Sequence, residues 1–163
     1  MPSFDLVSKT DMMEMKNALQ MAQKEINSRY DFKGSDTTLE LKETSIELRA
    51  DNDYKMKAAL EILRGQLVKR SIGQRCIDPQ KVEPSGNQMM KQIINIKNGI
   101  DKDKARAINK IIKESGLKVS SSIMDDKIRL TGKKIDDLQE AFATLRAHKD
   151  VDIELQIENM KRD

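Results

Sequence analysis

The chain contains no tryptophan, three phenylalanines and two tyrosines among 163 residues. With so few rings, the ten methionines and the many Leu and Ile are expected to fill the interior. A single cysteine, Cys76, excludes an internal disulfide and fits a reducing compartment. A single histidine, His148, leaves too few groups for a His-based metal site, a Cys–His pair or a Ser–His–Asp triad. His148 reads as a surface residue just after a helix, and Cys76 as a small buried apolar residue. There is no Walker loop and no dinucleotide fingerprint. The start, MPSFDLVSKTD, has neither the basic nor the apolar region of a leader, and no run approaches the ~18 apolar residues of a membrane span. The expectation is a cytoplasmic protein with no membrane contact, no metal, no cofactor and no enzymatic activity.

What is present is charge, balanced in sign. Charged residues make up 35% and apolar residues 37%, with a net charge of +3. That composition suits a folded chain with a well-solvated surface. The net charge is too small to argue for a nucleic acid partner, so the distribution of charge matters more.

Hydrophobic periodicity gives the elements. Phe4 and Leu6 alternate with polar neighbours as a strand does. Met12, Met15, Leu19, Ala22 and Ile26 recur every three or four residues, which is one face of a helix, with Asp11 placed to cap it. Leu39, Leu41, Ile46 and Leu48 predict a hairpin, and Met56, Ala59, Leu60, Leu63 and Leu67 a second helix. A short strand is expected at Cys76 and Ile77. A linker follows at residues 78–88, with Pro79, Pro84 and Gly86. The order then repeats. Ile94 and Ile96 predict a strand, and Ala105, Ile108, Ile111 and Ile112 a helix, with Asp101 near its start and Gly116 at its end. Val119 to Leu130 predicts a hairpin turning at Asp125-Asp126. Ile135, Leu138, Ala141, Phe142 and Leu145 predict the last helix, and Ile153, Leu155 and Ile157 the last strand.

The two halves superpose in sequence. Ile46, Leu48, Ala59, Leu63 and Arg64 fall on Ile128, Leu130, Ala141, Leu145 and Arg146 at an offset of 82. Upstream, Phe4, Leu6 and Asp11 fall on Ile94, Ile96 and Asp101 at an offset of 90. The difference is an eight-residue insertion in the first copy, in or next to SRYDFKG, residues 28–34. The plan is thus a βαββαβ unit used twice, an α+β ferredoxin-like pattern.

The insertion is the best candidate site, since loops on a rigid scaffold often carry function. Arg29 and Lys33 supply phosphate contacts, Tyr30 and Phe32 supply rings for stacking a base, and Gly34 permits close backbone approach. In the other reading both rings pack inward and Arg29 pairs with Asp31. Further basic candidates are Lys69 and Arg70, within a run from Lys55 to Arg75, and the Lys133-Lys134 turn. Lys102, Arg106, Lys110 and Lys113 form a stripe on the third helix, either a phosphate-facing surface or a solvated face. An RNA-recognition motif is not expected, because the central strands offer Asn95, Lys97, Arg129 and Thr131 and no aromatic. Carboxylate chemistry at Asp5 and Asp31 is a minor reading.

Four segments, PSFDLVS, SRYDFKG, LRGQLVKR and IRLTGKKIDDLQEA, run through the chain in order and resemble the YajQ-like family of bacterial nucleotide-binding proteins. That resemblance implies two ferredoxin-like domains with exchanged N-terminal strands. Residues 9–97, with strand 91–97, form the first, and residues 1–8 plus 98–163 the second. It also implies a non-catalytic protein that binds a nucleotide, with a cyclic dinucleotide, RNA or DNA as the ligand. The C-terminal LQIENMKRD and the segment GNQMMKQ lack aromatics that family members often carry there. The ligand is expected near SRYDFKG, between the two domains. The alternative function is a protein-interaction adaptor whose basic face meets an acidic protein partner.

Overall fold

A computed structural model describes all residues, 1–163. Nine strands and four helices alternate along the chain: β1 (Ser3–Val7), α1 (Met12–Ser28), β2 (Thr38–Leu41), β3 (Ser45–Ala50), α2 (Asp53–Lys69), β4 (Ile77–Pro79), β5 (Glu83–Ser85), β6 (Met89–Ile96), α3 (Lys102–Glu114), β7 (Val119–Met124), β8 (Lys127–Gly132), α4 (Ile135–Ala147) and β9 (Gln156–Lys161). This is an α+β protein with two sheets. Internal contacts divide it into two compact units, residues 10–97 and residues 1–9 with 98–163.

In the unit of residues 10–97 the strand order is β2-β3-β6-β4, with β5 also paired to β6. In the other unit it is β7-β8-β1-β9. All these pairs are antiparallel. Each sheet thus places a hairpin beside a strand from a distant part of the chain. β1 sits between β8 and β9, and β6 between β3 and β4.

Each unit has its own core. In the first, Met15, Leu19, Ala22 and Ile26 of α1 and Met56, Leu63 and Leu67 of α2 pack with Ile46, Leu48 and Ile94 of the sheet. In the second, Phe4, Leu6, Ile128 and Leu130 meet Ile108 and Ile112 of α3 and Leu138 and Leu145 of α4. Phe4 lies edge-on to Phe142, with centroids 6.2 Å apart. Aliphatic side chains dominate both cores; of the ten methionines only Met15 and Met56 are fully buried.

Helix ends follow local chemistry. Asp11 accepts hydrogen bonds from the Met13 and Glu14 amides, and Asp101 from the Lys104 amide. Asn52 does the same for Lys55. Gly116 takes φ +65° just after α3, the left-handed turn that glycine adopts without a Cβ clash.

Four expectations need correction. Residues 78–88 are not a free linker. Ile77–Pro79 and Glu83–Ser85 lie in succession along β6, and Asn87 and Gln88 turn the chain back with φ near +62° and +61°. Proline is tolerated there because these are edge strands with an outward N–H position. The last strand begins at Gln156, not at Ile153; Val151, Ile153 and Leu155 are buried in the segment leading to it. The equivalence of first strands shifts by two residues, since Leu6 pairs with Ile128 where Ile94 pairs with Ile46. Finally, the insertion is only partly loop. α1 has 17 residues against 13 in α3, so one extra helical turn takes up about half of it.

Candidate functional site

α1 ends at Ser28, and Arg29 leaves it in an extended conformation. Tyr30–Phe32 then form a single 3₁₀ turn, in which the Lys33 amide bonds the Tyr30 carbonyl at 3.0 Å. Within this turn the two rings point opposite ways. Phe32 is 4% exposed and joins the core that includes Ile26, whereas Tyr30 is 87% exposed. The expectation that both rings would stack on a ligand therefore fails for Phe32. Its ring lacks any polar atom, and the end of the core beside Ile26 accepts it.

Arg29 is not free. Its Nε donates to Asp31 Oδ1 at 3.0 Å and its Nη2 to Oδ2 at 2.8 Å, a bidentate pair. The Arg29 guanidinium holds the Asp31 carboxyl below its ordinary range, and Asp31 in turn raises Arg29. The guanidinium carbon lies 5.7 Å from the Phe32 ring centroid, so the buried ring supports the cation from beneath. Lys33 is exposed and meets no carboxylate. Gly34 adopts φ +77°, which turns the chain toward Ser35.

The loop is anchored beyond this turn. Lys55 Nζ donates to Asp51 Oδ2 at 3.1 Å, and Ser35, Lys55 and the Asp36 backbone beside it hold the Asp51 carboxyl below the usual range. Ser35 and the buried Thr37 share a hydroxyl bond at 2.7 Å. Tyr54, at the start of α2, donates to Asp31 Oδ2 at 3.5 Å and is 64% exposed. Tyr54 and Asp51 were not singled out from the sequence. The sequence carries no signal for either, since the Tyr54–Asp31 contact joins α2 to a turn 23 residues away.

An open cleft of about 430 Å³ runs along Ile26 to Ser35, and Arg29, Tyr30, Phe32 and Lys33 line it. Its size lies in the range of small-molecule sites. Lys69 and Arg70 are elsewhere, at the opposite end of α2 from Tyr54, about 25 Å along the helix. Lys69 faces solvent beside the α2 C-terminus, where a cation is favoured, and Arg70 lies 3.6 Å from Glu14. Lys133 and Lys134 belong to the other unit and are exposed in the turn from β8 to α4. Lys133 there lines a cleft of about 390 Å³ with Lys118, Ser120, Thr131 and Asp137. The basic stripe of α3 is a solvated face, where Arg106 lies 3.5 Å from Asp103 and Lys110 3.8 Å from Glu114.

The remaining polar groups singled out from the sequence have partners of their own. Asp5 is buried and bound by Arg129 and Asn159, and Asp31 by Arg29, so each carboxylate already has partners within its own unit. His148 caps α4, and its Nδ1 accepts from the Asp150 amide at 3.1 Å. No group of three or more His, Cys, Asp or Glu is placed to hold a metal ion. No helix is long and apolar enough to cross a membrane.

Comparison with known proteins agrees with the segments quoted above. Residues 2–161 match the family described as nucleotide-binding protein YajQ-like. A protein of Geobacter sp. (strain M21), named a nucleotide-binding protein, is 48% identical over 161 residues, covering 99% of both chains. One of the same name from Citrifermentans bemidjiense is 47% identical over 161 residues, again covering 99% of both. Another, from Desulfitobacterium hafniense (strain Y51), is 45% identical over 159 residues, or 98% of this chain and 97% of its own. This chain belongs to the YajQ-like family of nucleotide-binding proteins.

Proposed function

We propose that this chain is a non-catalytic nucleotide-binding protein. Its ligand, a cyclic dinucleotide or an RNA segment, would enter the cleft between Ile26 and Ser35. The observation that carries this reading is the grouping, on one 3₁₀ turn, of a guanidinium, an unpaired ammonium and an exposed phenol ring. Arg29 and Lys33 would take phosphate oxygens, and Tyr30 would stack a base. The printed names of the relatives support a nucleotide ligand. The proposal also holds that the units are duplicated ferredoxin-like domains, residues 9–97 and residues 1–8 plus 98–163. Their matching strand orders support this.

The test is the double substitution Arg29→Ala with Lys33→Ala. It should weaken binding of the dinucleotide pApA at least tenfold, or about 1.4 kcal/mol. The loss should shrink as salt rises. Unchanged affinity in a folded double variant moves the site to Lys69 and Arg70 or to Lys133 and Lys134. The adaptor reading draws on the exposed cations of α3 and Lys133-Lys134; it requires that no nucleotide binds and that an acidic protein does.

A further inference from the structure

An edge strand leaves a row of N–H and C=O groups unpaired, and proteins blunt such edges with proline, charge, bulges or covering side chains. Of the four sheet edges in this chain, three are blunted. β4 and β5 share one edge as two short pieces carrying Pro79 and Pro84. β9 holds Glu158 and Lys161 and a register shift, with Asn159 at φ +52°. β2 is covered by Gln23 of α1, whose Oε1 accepts from the Leu39 amide at 2.9 Å while its Nε2 donates to the Thr37 carbonyl at 3.0 Å. β7 is the counterpart of β2 in the repeat, since Ser121 lies opposite Leu130 as Leu39 lies opposite Leu48. Nothing covers β7.

The Gly132 amide bonds the Pro2 carbonyl at 3.1 Å, on the β1 side of β8, so Gly132 and its β7 partner Val119 exchange no bonds with each other. Alternation then turns the backbone N–H and C=O of Val119, Ser121 and Ile123 outward. These correspond to the groups that Gln23 closes on β2, and none of them has a partner within the chain. Asn109 of α3 reaches β7 but bonds the Ser121 hydroxyl, not the backbone. The strand VSSSIM has no charge, no proline and no bulge, and its Ile123 is 44% exposed.

We infer that β7 is a docking edge for a second copy of this chain, which pairs its own β7 antiparallel to it about a two-fold axis at Ser121. The strand is self-complementary in that register. Val119 lies opposite the partner's Ile123, Ser121 opposite the partner's Ser121, and Ile123 opposite the partner's Val119. Every outward group is then paired, with two bonds exchanged at each of these positions. Sliding the register either way leaves one of them without a partner strand residue. Val119 and Ile123 share one face of the strand, and Val119 packs against the core. Each copy's Val119 therefore covers the other's exposed Ile123. The ends match in charge as well. Lys118 precedes the strand and Asp125-Asp126 follow it, all exposed. Antiparallel pairing sets Lys118 of each copy diagonally across from the partner's Asp126, within reach of a long side chain. A strand of another sequence would gain the main-chain bonds without these matched ends. One strand makes a small interface, so the dimer forms at high concentration and exchanges readily.

Analytical ultracentrifugation of the full chain from about 1 to about 500 μM reads the association. The average mass should rise across that range from one chain toward two. Lys118→Glu sets an acid beside the partner's Asp126 and should weaken dimerisation at least about tenfold. Asp126→Lys sets two ammonium groups together and should do the same. Mixing these two variants restores both opposite-charge pairs, so a heterodimer should form about as well as the wild-type dimer. Ser121→Cys tests the register. Its two thiols meet on the axis, at a Cα separation of about 5.5 Å that a disulfide accepts, and should cross-link under mild oxidation far faster than those of Ser122→Cys. Equal cross-linking of the two cysteine variants overturns the inference, as does a mixture of the charge variants that stays monomeric. A dimer that neither Lys118→Glu nor Asp126→Lys weakens places the contact elsewhere and overturns it too. A wild type that keeps the mass of one chain at every concentration overturns it and leaves the edge to a chain of different sequence.

Discussion

Asp5 of β1, 1% exposed, binds Arg129 of β8 through both oxygens, with Nε donating to Oδ1 at 2.8 Å and Nη2 to Oδ2 at 3.3 Å. Asn159 of β9 donates to Oδ2 at 2.9 Å, and Lys127 Nζ lies 3.4 Å from the same atom. One carboxylate therefore joins β1 to both its neighbours in the sheet. The Arg129 contact, helped by Asn159 and Lys127, holds the Asp5 carboxyl well below the usual carboxylate range against the opposing effect of burial.

A folded-state value below the unfolded one means that ionised Asp5 stabilises the fold. That contribution is complete above about pH 4, the unfolded value, and is lost as pH falls toward the lowered folded value. Asp5→Asn leaves Arg129 and Lys127 without their counter-charge and is expected to cost roughly 2–3 kcal/mol at neutral pH. Urea unfolding at several pH values checks this. The gap between wild type and variant should be full at pH 7 and narrow below about pH 4. Equal stability at pH 7 would show that the cluster contributes nothing net.

The opposite orientations of Tyr30 and Phe32 separate stability from binding. Phe32→Ala should destabilise the protein by about 3 kcal/mol through lost burial and the cavity left behind. Tyr30→Ala should stay within about 0.5 kcal/mol of wild type in thermal unfolding. It should nonetheless weaken pApA binding by about 1 kcal/mol or more. Tyr30 and Tyr54 are the only tyrosines and there is no tryptophan, so intrinsic emission reports on these two rings directly.

Helix caps give a third check. Asp11→Ala and Asp101→Ala each remove a side chain that accepts first-turn amides, and each should cost about 1 kcal/mol. α4 begins at Ile135, and its N-cap residue, Lys134, makes no side-chain cap bond. Lys134→Ser should therefore stabilise the protein by roughly 0.5–1 kcal/mol. A fall in chemical-denaturation midpoint for Lys134→Ser would mean that its ammonium has a stabilising role that the missing cap bond does not suggest.

Much of the local structure was legible because it is encoded at short range. The spacing of Met15, Leu19, Ala22 and Ile26 forms a helix face wherever that helix docks, and Asp11 caps the first turn with atoms only a few residues away. The linker at residues 78–88 misled because its prolines and glycine signal a break, while pairing to β6 is a long-range property. The start of the last strand was misplaced for a related reason. Val151, Ile153 and Leu155 alternate as a strand does, yet burial alone produces that pattern.

By itself, the sequence determined the order of the helices and of the strands apart from β5, the caps Asp11 and Asp101, and the poverty of catalytic groups, with one cysteine and one histidine. It also placed Arg29, Tyr30, Phe32 and Lys33 on one insertion. Only the tertiary structure decided that Phe32 turns inward and Tyr30 outward, that Asp31 holds Arg29, and that Tyr54 from α2 reaches the same carboxylate. It also set Asp5 against Arg129, 124 residues away. The physical reason is range. Periodicity and capping act within a few residues, whereas the direction of a ring and the partner of a charge depend on which buried surface and which opposite charge the folded chain brings beside them.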